Sequence, residues 1–172
     1  DRAGPREDPG VARKPKFTVE VEGHLVRNGL WRINAVLRFH DGLDPQPGDE
    51  LLGEGRVGLL EGIAREISGI FEASSVSVAL LDSVGEQLTV VADFNRTPDH
   101  ETTRGLSMPL NDNHGAAQAV QTARPLIIAD PQNSPLTEAM HSRFQARNTQ
   151  SLMLVPLLVR GEVLGTVNID TD

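Results

Sequence analysis

Two apolar runs joined by a tight turn near the end of the chain constrain its fold more than any other feature. Leu152–Val159 is a continuous apolar run broken only by Pro156, the pattern of a strand covered on both faces. Past Arg160-Gly161 the chain alternates. Val163, Gly165, Val167 and Ile169 fall on one side, and Leu164, Thr166, Asn168 and Asp170 on the other, as in a strand with one wetter face. A β-hairpin spanning Ser151–Asp170 is the expected outcome.

Upstream, Leu60, Ile63, Ala64, Ile67, Ile70 and Phe71 recur at helical spacing, which predicts an amphipathic helix over Val57–Ala73 with one buried stripe. Val76–Leu81 and Leu88–Phe94 flank the turn residues Asp82, Ser83, Val84 and Gly85 and read as a second hairpin. A short strand follows at Leu106–Leu110, then a small helix over Gly115–Thr122 for which Asp112 or Asn113 is a natural N-cap. Pro125–Ala129 is strand-like. Ser134-Pro135 places a capping residue before a proline at the first helical position, opening a helix to about Arg147. This order predicts an α+β fold with an antiparallel sheet.

The first 55 residues are less regular. Residues 1–16 hold three prolines, two glycines and eight charges with little to bury, the composition of a disordered leader. Residues 17–55 form an N-terminal extension. Within it Phe17–Leu25 alternates as a short strand, and Asp41–Glu50 is a Pro-, Gly- and Asp-rich loop. Leu30–Phe39 fits helical spacing and strict alternation equally, and a helix is favoured there.

Charge and composition exclude several functions. With 16 basic against 24 acidic residues the formal charge is −8, and no cluster of Lys or Arg matches a run of phosphates, so nucleic-acid binding is not expected. No cysteine is present, which removes disulfides, thiolate metal sites and a cysteine nucleophile. No apolar run approaches the ~20 residues that span a bilayer. The expectation is a cytoplasmic domain without membrane contact.

Three segments carry a family resemblance. They are Leu59-Leu60-Glu61-Gly62-Ile63-Ala64 running into Ser75–Leu81, Met108-Pro109-Leu110 through Ala116-Ala117 to Thr122–Asp130, and the closing hairpin. Their order and spacing resemble a GAF domain over residues 56–172. The resemblance implies a six-stranded antiparallel sheet flanked by helices, with loops and short helices roofing a small-molecule pocket. It also implies a non-catalytic sensory or regulatory role in a signalling protein. The implied partners are a small-molecule ligand, a second copy in a homodimer, and an attached output domain such as a kinase, cyclase, phosphatase or transcription activator. Bilin attachment and methionine sulfoxide reductase chemistry in this family rely on cysteines, which are missing here. The Asn-Lys-Phe-Asp-Glu signature of cyclic-nucleotide binders is also missing. The family usually continues into a further helix, so a fragment of a longer protein is expected, and the cofactor is left unknown.

The residues that could line such a pocket are His114, Asn113 and Asp112 at a helix N-terminus, where free N–H groups favour polar ligands, with Asp130 in a second loop and Ser151 opening a strand. Each has a blander role available: capping, a turn, or a solvated side chain. Gly53-Glu54-Gly55-Arg56-Val57-Gly58 matches a dinucleotide fingerprint, but Pro47–Leu52 before it is too polar and short for the buried parallel strand that motif needs. Asp99-His100-Glu101 gathers metal-friendly groups that, adjacent in a loop, cannot all face one ion. Ser68 sits inside a helix and not on the elbow a serine hydrolase requires. No catalytic or metal-binding set emerges. A ligand-free dimerisation module, using Leu30–Phe39 and Leu59–Phe71, is the main alternative, and a dinucleotide enzyme is the other.

Overall fold

The structure, a computed structural model, describes residues 17–26, 30–39, 54–98, 100–159 and 161–172. Strands β1 (Phe17–Val26) and β2 (Leu30–Phe39) form a two-stranded antiparallel sheet. Their pairing runs without a break from Phe17↔Phe39 to Val26↔Leu30. This corrects the helix expected over Leu30–Phe39. The alternating pattern prevails because an equally long alternating strand lies next to it in sequence, and a hairpin satisfies both backbones at once. The expected leader over 1–16 and the loop over 41–50 lie outside the described residues.

Helix α1 (Glu54–Phe71) is followed by β3 (Ser75–Leu81), β4 (Gln87–Asn95), β5 (Ser107–Pro109), α2 (His114–Thr122), β6 (Leu126–Ala129), α3 (His141–Ala146), β7 (Ser151–Val159) and β8 (Glu162–Thr171). The six later strands make one antiparallel sheet in the order β5-β4-β3-β8-β7-β6. Every strand pair among the described residues is antiparallel, so no βαβ unit is available for a dinucleotide. Gly55 and Gly58 of the fingerprint lie inside α1.

One face of the sheet is covered by α1. Leu60, Ile63, Ala64 and Ile67 are buried against Val76, Val78, Leu80, Val155, Val167 and Ile169. Each large side chain there contributes about 1.5–3 kcal/mol of burial. Ile70, expected in the stripe, is 61% exposed. The helix ends where Glu72 turns left-handed at φ 53°, and the Ala73 amide donates to the Ser68 carbonyl at 3.0 Å. Ser68 is structural: it is buried, and its hydroxyl donates to the Ala73 carbonyl at 2.8 Å.

The other face carries α2, α3 and a 3-10 turn over Pro135–Met140. The helix expected from Ser134 to Arg147 is thus split. Ser134 does cap it, accepting from the Leu136 amide, but Thr137 leaves helical geometry at φ −130°. Buried Thr137 donates to the Pro131 carbonyl at 2.7 Å, a local bond that competes with continued helix.

Strand parity decides what each face presents. In β4, Leu88 and Val90 point away from α1, and simple alternation would send Ala92 and Phe94 the same way. A bulge opposite Val78/Ala79 intervenes: Val78 pairs with Ala92 and Ala79 with Val90, leaving Val91 as the extra residue. Val91 and Ala92 both join the α1 core, and Asp93 and Asn95 turn to the opposite face.

β8 approaches β3 unusually closely at Gly165, where a Cβ atom would lie 2.0 Å from the Ala79 carbonyl oxygen. Gly165→Ala is therefore expected to destabilise the domain by roughly 3 kcal/mol through forced separation of the two central strands. Urea denaturation measures this, and an unchanged midpoint would contradict the packing described.

Candidate functional site

A cleft opens between the α1-distal face of the sheet and the roof formed by α2, the 3-10 turn, α3 and the loop before β5. Its empty volume, open mouth included, is ≈ 780 Å³. The floor follows from strand register and consists of three ranks of side chains. The first runs Asn95–Ser75–Asp170–Leu152 across β4, β3, β8 and β7. The second runs Asp93–Ser77–Asn168–Leu154, and the third Val90–Ala79–Thr166. All of these side chains line the cleft. From the roof, Met140, Arg143, Phe144 and Arg147 reach it. Leu88, Leu106 and Met108 close the side toward β5.

The polar end is held by specific bonds. Asp93 accepts from the Thr103 amide at 2.7 Å and from the Thr102 and Thr103 hydroxyls at 2.8 and 3.1 Å. The loop before β5 is thereby tied down over the floor. Asp170 accepts from the Ser75 hydroxyl at 3.0 Å. As a whole residue Asp170 stays partly exposed, but protein surrounds its carboxyl and burial pushes it up to about 6, against the opposing effects of the Ser75 bond and the Arg147 charge. Burial also lowers Arg147, which Asp170 partly offsets; its guanidinium donates to the Glu101 carbonyl.

Among the described residues, four buried side-chain atoms have no partner: Asn95 Oδ1, Arg143 Nη1, Thr166 Oγ1 and Asn168 Oδ1. All four belong to residues lining this cleft. An unpaired buried polar group costs about 1–3 kcal/mol, so four at one place mark the cleft as the part of the domain where polar partners have most to contribute.

Of the residues singled out in the sequence, Asn113 lines the cleft while its Oδ1 caps α2, accepting from the Ala116 amide at 3.2 Å. The other four do not line it. His114 and Asp112 are exposed beside the cap. Asp130 lies in a turn at φ 55°, its carboxylate accepting from Asn133 Nδ2 at 2.9 and 3.0 Å. The Ser151 hydroxyl pairs with that of Thr171 at 2.6 Å. His141, at the start of α3, bonds the Ser134 carbonyl through Nε2 at 2.8 Å. The cleft residues that sequence reasoning passed over were partly signalled: Ser75 and Ser77, and Thr166, Asn168 and Asp170, are polar at period two within apolar strands. Asp93 and Asn95 also alternate with Ala92 and Phe94, but alternation continued from Leu88 assigns them to the α1 face, and Arg143 and Arg147 gave no such signal.

The arrangement of one helix behind a six-stranded antiparallel sheet and a roofed cleft in front has a known counterpart. The GAF domain family model matches residues 56–171. This chain belongs to the GAF family. No curated protein matches it by sequence. Among solved structures it is similar to the GAF domain/HD domain protein from Geobacter sulfurreducens, at 16% identity and TM-score 0.57 over 66% of this chain and 72% of that one. It is also similar to the blue-light absorbing form of the Thermosynechococcus elongatus PixJ GAF domain, at 15% identity and TM-score 0.57 over 73% and 74% of the two chains. A third similarity is to the type II free methionine-R-sulfoxide reductase from Thermoplasma acidophilum, at 20% identity and TM-score 0.50 over 66% and 72%. At these identities the structural likeness establishes the fold alone. GAF domains are sensory and regulatory modules of signalling proteins, and some share a chain with an HD domain. No helix among the described residues of this GAF domain is long and apolar enough to cross a membrane.

The raised Asp170 group sets a pH dependence. Its native form holds a proton more tightly than the unfolded chain, so its contribution is full below pH ~4 and is lost as pH rises through about 6. Asp170→Asn keeps an acceptor for Ser75 without the buried charge. It should be more stable than the parent at pH 7.5, by about 1–3 kcal/mol, and nearly equal at pH 4. Chemical denaturation at the two pH values checks this; a gain of the same size at both would mean that charge burial is not the cause.

Proposed function

We propose that this domain is a non-catalytic sensor that binds a small ligand in the cleft and passes the resulting population shift to an attached output domain. The observation that carries this reading is the convergence of four unpartnered buried polar atoms on one open cleft. Family membership supports it, as GAF domains are sensory and regulatory modules of signalling proteins. The functional unit is residues 56–172, with 17–55 as an extension, acting in the cytoplasm without nucleic acid or membrane contact. The ligand site comprises Asn113 with the polar residues of the cleft floor and α3. His114, Asp112, Asp130 and Ser151 belong to its surroundings.

The absence of any cysteine takes thiol chemistry from this domain. The alternative of a ligand-free dimerisation module calls for a collapsed cleft and free apolar helix faces. The open cleft speaks against it, as does the burial of Leu60, Ile63, Ala64 and Ile67 on the domain's own sheet. Homodimerisation remains compatible with the sensor role through other surfaces.

Native mass spectrometry of the purified protein against a denatured sample tests the reading directly, with a co-purified small molecule as the expected result. Thr166→Val is a second test. Thr166 is fully buried and its hydroxyl is unpaired, so removing that hydroxyl should raise the stability of the empty domain by about 1 kcal/mol while weakening retention of the ligand. Loss of stability on this substitution would mark the hydroxyl as a structural group and remove the main support for a ligand site.

A further inference from the structure

The unpartnered atoms also define what kind of molecule completes them, an inference that rests on the sensor reading above. Arg143 Nη1 donates only and carries charge, so it calls for an acceptor, best an anionic one. Asn95 Oδ1 calls for the opposite. Its amide orientation is set by Nδ2 donating to Asp93 Oδ2 at 3.3 Å, and a carboxylate only accepts, so Oδ1 is left as an acceptor needing a donor. Asn168 and Thr166 are adaptable. The Ser77 hydroxyl bonded to Asn168 at 3.1 Å satisfies that amide in either orientation, and the Thr166 hydroxyl gives or takes a proton.

The rest of the lining is mainly apolar, with Thr103, Thr137 and Asn113 already bonded within the protein. Ala79, Leu88, Val90, Leu106, Met108 and Leu154 line the cleft away from Asn95 and Asp170. Phe144 is the sole aromatic residue among the lining residues, and Arg147 already donates to the Glu101 carbonyl, so among the described lining residues Arg143 is the cation with an unpartnered donor, one charge where a phosphate calls for more. Asp93 and Asp170 on the floor disfavour a dianion further. A compact head with one negative charge and a neighbouring donor, on an apolar body, is what these walls leave.

We infer that the cleft binds a small carboxylic acid bearing an amino or hydroxyl donor on the carbon next to the carboxyl, with an apolar side chain. The carboxylate meets Arg143, the neighbouring N–H or O–H meets Asn95 and Asn168, and the side chain fills the Leu88–Met108 side. No covalent step is involved. An ammonium donor gains from the Asp170 carboxylate in the same rank as Asn95, whereas a hydroxyl donor does not, so the two sources of this chemistry are distinguishable.

The experiment is calorimetric titration and thermal shift of the whole protein with a matched set: L-leucine, L-2-hydroxy-4-methylpentanoate, 4-methylpentanoate, which lacks the donor, and 3-methylbutylamine, which lacks the carboxylate. Either or both of the first two should bind saturably, with the donorless acid and the amine at least about tenfold weaker, the loss of one charged or neutral hydrogen bond. Tighter binding of L-leucine identifies the amino acid source, tighter binding of the hydroxy acid the other. Arg143→Gln should weaken both by about tenfold or more. Asn95→Ala should reduce the preference over 4-methylpentanoate severalfold, Asn168 still serving the donor, while 4-methylpentanoate itself still binds, a readout that also shows the variant is folded; an undiminished preference overturns the role given to Asn95. Equal binding of the donorless acid to the parent, or preference for the amine, overturns the inference. If none of the set binds but native mass spectrometry shows a different bound molecule, the ligand class is wrong and the sensor reading stands. If none binds and the protein is empty, both fall.

Discussion

The pairing of β8 with β3 is the contact on which the rest of the domain depends. It brings residues about ninety positions apart side by side, as in the Ser75–Asp170 hydrogen bond. It also joins the hairpin β3–β4 to the hairpin β7–β8, so that two local units become one sheet. Long-range closure of this kind costs chain entropy before it returns any contact. The burial of Val76, Val78, Val167 and Ile169 under α1 offsets that cost. Gly165 permits the close strand approach that makes the closure tight. Without this joint the cleft floor would not exist, because each of its ranks takes residues from both hairpins.

The two faces of those central strands do different physical work. The α1 face is apolar, and none of the unpartnered buried polar atoms among the described residues lies in it. The opposite face carries Ser75, Ser77, Thr166, Asn168 and Asp170, polar groups that a protein optimised only for stability would not bury. Some are satisfied internally, and others are left open at the cleft. Such a face is less stable when empty than an apolar one, and a ligand that supplies the missing partners stabilises the liganded state selectively. That difference between states is what a sensory domain requires to shift a population.

Much of the fold was legible from local pattern. Helical spacing located α1 to within a few residues at each end, and the alternation after Gly161 separated the α1-facing Val167 and Ile169 from the cleft-facing Thr166, Asn168 and Asp170; a register shift at Leu164 interrupts it nearer the turn. The ambiguity at Leu30–Phe39 could not be resolved locally, since both periods fit the same apolar residues and only the neighbouring Phe17–Val26 strand selects one. The split of the segment after Ser134 was hidden for a related reason: Thr137 leaves the helix to bond Pro131, a loop residue whose position depends on the rest of the roof.

The sequence by itself determined the element order, the antiparallel α+β class and the wetter side of β8, because these follow from the periodicity of apolar residues along short stretches. The site was decided by tertiary structure. Asn113 was legible because a helix N-terminus is a local feature. Asp93 and Asn95 were not, because the bulge at Val91 reverses the parity of β4 and no alternation pattern announces it. Arg143 and Arg147 were equally hidden, since their place over the floor depends on how α3 folds back across the sheet. Cleft chemistry is a property of side chains brought together from separate elements, and periodicity within one element carries no information about which others will face it.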